Sequence, residues 1–177
     1  ILGSVQMILE IKGKKIGFTG DLGRKNLPII KDPEVIENVD LLIMESTYGK
    51  RYHRPIEKAE EDLENIIKRA IDRGGKVIIP AFSVGRTQEI VYAIHRLIME
   101  KRIGEIPVYV DSPLSTNVTE VFKRHSECFD EETIEMLKSE GDPFGFRRMV
   151  YIRDVEESKK LNYKKGPMVI ISASGMC

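Results

Sequence analysis

The chain has 177 residues, 41% of them apolar and 32% charged, with 28 basic side chains balanced by 28 acidic ones. That length suits one domain, or one domain plus a piece of another, and the zero net charge means that any polyanion would have to be met by local clusters. Two cysteines, Cys128 and Cys177, exclude a disulfide framework or a CxxC site and fit a reducing, cytoplasmic setting, and no apolar run approaches the ~20 residues of a membrane span.

In chain order, Val5, Met7, Leu9 and Ile11 alternate with polar residues and predict a half-buried strand, with Ile8 out of step. Gly13-Lys14 makes a turn, and Ile16-Gly17-Phe18 returns, so 5–18 reads as a hairpin. It ends at Thr19-Gly20-Asp21. Asp40–Met44 predicts a third, buried strand that runs into Glu45-Ser46-Thr47-Tyr48-Gly49. The polar knot Lys50–Pro55 marks a domain boundary, giving segments 1–49 and 50–177. Beyond it the rhythm becomes alternating helix and strand. Ala59, Leu63, Ile66, Ile67 and Ala70 form the stripe of a helix stopped by Gly74-Gly75. Strands are expected at 77–80, 108–110, 149–152 and 168–171, with helices over 86–102, about 116–127, 131–139 and 155–161. This is an α/β pattern with a mainly parallel sheet. The chain opens at Ile1 without Met and stops just after an apolar strand, so we expect an excerpt of a longer protein.

The organising stretch is Lys76–Glu89, KVIIPAFSVGRTQE. Val77, Ile78 and Ile79 read as a strand covered on both faces, which Pro80 ends. The small loop that follows feeds a helix near Arg86 and points unpaired N–H groups above the sheet, a ready anion site. Arg86 in the first turn runs against the helix dipole, which suits a shared anionic ligand, or else a solvated arginine in an ordinary turn. Ligands lie outside the carboxyl ends of parallel strands. Three strand ends there carry small hydroxyl-bearing loops: Ser83 with Gly85 and Arg86, then Ser112, then Ser172 with Ser174 and Gly175. Together they suggest a phosphodiester groove. Asp21 and Glu45 each follow an apolar strand, where a carboxylate suits a cation or a hydrogen bond to a histidine, or simply a cap or turn. His53 sits in the polar knot, His95 reads as structural, and His125 falls in register with Val118, Val121 and Phe122 as a core or core-edge residue. Met99, Met136 and Met149 read as packing. Ala81–Gly85 lies one residue short of a G-x-S-x-G elbow, and Asp111 and His125 follow in triad order. That leaves a serine hydrolase built on Ser83 as an alternative.

Five motifs then come in one order: TGD at Thr19–Asp21, ESTYG at Glu45–Gly49, IPAFSVGRTQE at Ile79–Glu89, DSPL at Asp111–Leu114 and SASGM at Ser172–Met176. This closely resembles the β-CASP branch of metallo-β-lactamase-fold nucleases. Within it, the chain is most similar to the archaeal and bacterial relatives of the RNA-cutting subunit of the cleavage and polyadenylation specificity factor. The resemblance implies a strip of a metallo-β-lactamase sandwich at 1–49 and a Rossmann-like β-CASP domain at 50–177. It also implies a two-zinc hydrolase of RNA that works as a homodimer or within an RNA-processing complex. Carried over by motif, Asp21 resembles the carboxylate that bridges the zinc ions. Glu45 resembles the acid that hydrogen-bonds a later, general-acid histidine. Ser83, Gly85, Arg86, Ser112, Ser172, Ser174 and Gly175 would face the RNA. The family's H-x-H-x-D-H motif is missing from this chain. We expect it upstream, with a further metal-binding histidine directly before Ile1, and the last zinc ligand downstream of Cys177. The chain alone is therefore expected neither to hold two zinc ions nor to cut RNA. A non-catalytic β-CASP paralogue serving as scaffold or RNA clamp is the rival reading.

Overall fold

A computed structural model describes residues 1–53 and 55–173. Its first layer is a three-stranded sheet. β1 (Met7–Ile11) and β2 (Lys14–Phe18) pair antiparallel with Met7 opposite Phe18, and β3 (Leu41–Ile43) runs parallel to β2. Lys12 and Gly13 both have positive φ, 50° and 73°, which gives the two-residue turn that a twisted hairpin favours. Asp40 pins the start of β3. Its carboxylate accepts from Lys14 Nζ at 2.6 Å and from the Lys15 N–H at 2.9 Å, and this holds its pKa below the usual range. The expectation that this strand is buried is corrected. Leu41, Leu42 and Ile43 are 53%, 42% and 49% exposed, because a single layer of three strands has no opposing sheet to cover it.

The rest is an α/β unit. Its elements are α1 (Ile56–Asp72), β4 (Lys76–Pro80), α2 (Arg86–Met99), β5 (Val108–Asp111), α3 (Pro113–Arg124), a 3₁₀ turn (Ser126–Cys128), α4 (Glu131–Ser139), β6 (Met149–Ile152), α5 (Val155–Tyr163) and β7 (Met168–Ser172). The four strands are all parallel, in the order β4-β7-β5-β6. After β6 the chain turns back and inserts β7 between β4 and β5. With right-handed crossovers that reversal puts α5 on the opposite face from α2 and α3. The cores agree. Ile67 and Ala70 of α1, Val91, Ile94 and Leu97 of α2 and Phe122 of α3 pack on Val77, Val108, Val110, Val169 and Ile171. On the other face, Leu161 of α5 meets Tyr109, Ile152, Met168 and Ile170.

β4 is therefore an edge strand, and the expected cover on both its faces is corrected. Ile78 is 56% exposed because α5 packs over the strands beyond it. The segment between β2 and β3 ties the two layers together. Ile29 is buried in the main α/β core, its carbonyl accepts from the Asp130 N–H, and Ile30 bridges Phe129. Helix α3 starts earlier than the apolar pattern suggests, because Ser112 caps it and Pro113 occupies its first position. It ends at Arg124. His125 is thus an exposed residue just past that helix, with Nδ1 2.7 Å from Glu127 Oε1, and its core reading is corrected. His95 is buried, with Nδ1 3.1 Å from the Pro143 carbonyl and its ring tilted on Phe146. Among the described residues, no helix is long and apolar enough to cross a membrane.

Candidate functional site

The first cluster is built on Thr19. Leaving β2, its N–H donates to the Ile43 carbonyl at 3.1 Å, and its hydroxyl accepts from the Glu45 N–H at 3.3 Å. The loops carrying Asp21 and Glu45 therefore leave one sheet edge side by side. Gly20, between Thr19 and Asp21, has φ of +57°, and a Cβ there would lie 2.7 Å from the Val5 carbonyl oxygen. Gly20→Ala is expected to cost about 1–3 kcal/mol and to displace Asp21, read by urea unfolding. An unchanged midpoint would show that the loop is slack. Asp21 is exposed, lining a cleft of about 500 Å³ with Ser4, Thr19, Lys31 and Glu127, and its carbonyl accepts from Ser4 Oγ at 2.9 Å. Glu45 Oε2 accepts from the Thr47 N–H at 3.0 Å, and that bond, helped by the Thr47 side chain, holds the carboxyl below its usual range. Glu45 therefore stays ionised to lower pH than an ordinary glutamate.

Zinc takes about four donors. Among the described residues, no three His, Cys, Asp or Glu side chains gather closely enough to hold a metal ion. Asp21 belongs to no such group, so the residues described do not fit a zinc pair.

The second cluster crowns the parallel sheet. Pro80, Ser172 and Asp111 are register partners at the carboxyl ends of β4, β7 and β5, and the Ala81 N–H donates to the Ser172 carbonyl at 2.9 Å. Ser112 Oγ caps α3 by accepting from the Ser115 N–H at 3.1 Å, and it lies 3.5 Å from Ser83 Oγ. Ser172 is buried, and its hydroxyl has no hydrogen-bond partner among the described residues. Gly85, with φ of +79°, turns the chain into α2 where a side chain would strain the backbone. The structure thus brings the Ser83 and Ser112 hydroxyls together, while Ser172, next in alternation after Met168 and Ile170, falls on the α5 face of the sheet. Ser174 and Gly175 lie outside the described residues.

Arg86 goes elsewhere. Its guanidinium sits 2.7 Å from Glu89, which offsets a cation in the first turn of α2, and it lines a pocket of about 310 Å³ with Arg24, His53, Glu60 and Ile90. His53 also makes an edge contact with Tyr48 of the ESTYG loop at 4.7 Å. Between the two clusters lies an apolar groove of Leu2, Gly3, Val84, Val118 and Phe122. Among the described residues, no triad reaches Ser83. Asp111 accepts from Ser158 Oγ at 2.8 Å, and His125 is turned to Glu127.

The family model described as the Beta-Casp domain matches residues 87–177, half of the chain. The chain belongs to the β-CASP family. Ser112 and Ser172 fall inside the matched region, and Ser83, Gly85 and Arg86 just before it. Among curated proteins, the chain is 33% identical to ribonuclease TTHA0252 of Thermus thermophilus over 98% of its own length, and 37% identical to an RNase J-like protein of Methanocaldococcus jannaschii over 99%. It is 29% identical to endoribonuclease YSH1 of Saccharomyces cerevisiae, again over 99%. It spans 40%, 41% and 23% of the lengths of these three proteins. The α/β unit with its four-stranded parallel sheet is the Rossmann-like β-CASP domain expected from the motifs.

Gln88 is among the buried polar residues of this domain that sequence reasoning passed over. Gln88 is fully buried on α2, and its position three residues before Val91 and seven before His95, on the apolar stripe, was the available signal.

Proposed function

We propose that this chain is a section of a longer, metal-dependent ribonuclease that hydrolyses RNA phosphodiesters. The observation that carries this reading is the approach of the Ser83 and Ser112 hydroxyls to 3.5 Å at the carboxyl ends of the parallel strands. Neutral donors at a strand-to-helix turn suit one phosphate group. They can hold its oxygens without the desolvation cost of a buried cation. In this reading the first sheet is a strip of a metallo-β-lactamase sandwich, supported by the exposed apolar side chains of β1 and β3. Asp21 is one donor to a metal centre whose other ligands, proposed to be for zinc, come from outside this sequence. Glu45, kept ionised by Thr47, orients a histidine from the same missing part. The setting we propose is cytoplasmic.

The test uses the full-length protein and labelled RNA. Cleavage that a chelator abolishes and zinc restores is the expected result. Tight binding with no cleavage would favour the scaffold reading, and neither binding nor cleavage would end the proposal. Arg86→Ala adds a separate check. If Arg86 leaves Glu89 for a phosphate, affinity for RNA should fall about 3–10-fold and the salt slope should drop by about one, with metal content unchanged. Unaltered affinity and slope would confine Arg86 to its ion pair.

A further inference from the structure

Gln88 sits where a helix facing a core ordinarily places an apolar side chain. Its Nε2 donates to the Ser83 carbonyl at 3.2 Å and to Thr119 Oγ1 at 2.9 Å, with a longer contact to the Ser115 carbonyl at 3.5 Å. The orientation of this amide is forced. Two of the three partners are carbonyls, and Thr119 uses its own proton on the Ser115 carbonyl at 2.8 Å, so it too can only accept. Turning the amide over would set its oxygen against three acceptors. As it stands, Gln88 Oε1 is buried with no hydrogen-bond partner among the described residues. An apolar side chain would avoid that desolvation cost entirely.

What the amide supplies is a fixed spacing between two loops. On one side it holds the backbone of Ser83 itself. On the other it holds the second turn of α3, which is linked back to Ser112 residue by residue. Thr119 donates to Ser115, the Ser115 N–H donates to Ser112 Oγ, and Thr116 Oγ1 donates to the Ser112 carbonyl at 3.0 Å. We infer that Gln88 is a positioning residue that sets the separation of the Ser83 and Ser112 hydroxyls, and so the fit of the RNA phosphate between them. This rests on the proposed role of those two serines.

The experiment uses the full-length protein with Gln88→Met, Gln88→Glu and Thr119→Val. Gln88→Met keeps length and shape but removes the donors. It is expected to raise KM for RNA about tenfold, the order set by losing neutral hydrogen bonds, while kcat and metal content stay near wild type. Adding Ser83→Ala should cost little more, because both changes remove one interaction. Gln88→Glu places a carboxylate against three acceptors, so its KM should be higher at neutral pH and fall as acidification restores a donor. Thr119→Val leaves Gln88 in place and should reproduce the KM shift, which guards against a misfolded Gln88 variant. A lowered melting temperature with wild-type KM, or a KM effect fully additive with Ser83→Ala, would make Gln88 a stability residue and overturn the inference. A wild-type protein that neither binds nor cleaves RNA would overturn the functional reading, and this inference with it.

Discussion

Phe144→Ala is expected to destabilise the fold by about 3–5 kcal/mol, the range for emptying a fully buried aromatic site. Phe144 is 0% exposed, and its ring meets Phe122 edge-on at 5.9 Å and Phe129 at 6.0 Å. Those two partners belong to different parts of the chain's packing. Phe122 is on α3, which begins at Ser112, and Phe129 bridges Ile30 in the segment that ties the first sheet to the α/β unit. The loop is held independently, since the Phe144 carbonyl accepts from Tyr151 OH at 2.7 Å and the neighbouring Pro143 carbonyl faces His95. It therefore cannot readily collapse into the void. For a chain of this size the loss corresponds to a fall of roughly 6–20 °C in melting temperature. Phe144→Leu, which refills much of the volume, should cost under about 2 kcal/mol. Equal effects from the two variants would mean that the ring's shape, rather than its volume, holds the junction.

Elements whose apolar period is local were legible in the sequence. The hairpin at 5–18, the strand at Met149–Ile152 and the stripe of α1 all depend on neighbours within a few residues. What depends on distant packing was not. Strand order is set by where the crossovers land, so the insertion of β7 between β4 and β5, and with it the exposure of Ile78, has no local signature. The apolar run at Leu41–Ile43 predicts burial only if a second layer lies against it. His125 kept helical register in the sequence, yet the helix stops one residue earlier, and register means nothing past a terminus. The site divides in the same way. Motif order pointed to Ser83 and Ser112, and parallel strands ending side by side explain why those two hydroxyls lie 3.5 Å apart. Arg86 is different, because Glu89 three residues on was a visible partner that a phosphate-centred reading set aside.

Asp21→Asn in the full-length protein is expected to lower RNA cleavage by more than about 100-fold and to reduce bound metal, because even outer-shell partners of metal ligands cost roughly 10–100-fold when removed. The substitution is nearly isosteric. Asp21 is exposed, and the contact that fixes its loop is made by its carbonyl, which accepts from Ser4 Oγ, so the fold should be untouched. Ser83→Ala should do the opposite, weakening RNA affinity while metal content stays normal. The two loops belong to separate sheets, with the groove of Leu2, Gly3 and Val84 between them, so each variant can fail without disturbing the other. That independence makes the pair informative. If Asp21→Asn leaves metal content and cleavage intact, the first sheet contributes no ligand. If instead it weakens RNA binding as much as Ser83→Ala does, the carboxylate acts on the same phosphate as the serines, and the division of labour between the two strand-end clusters is wrong.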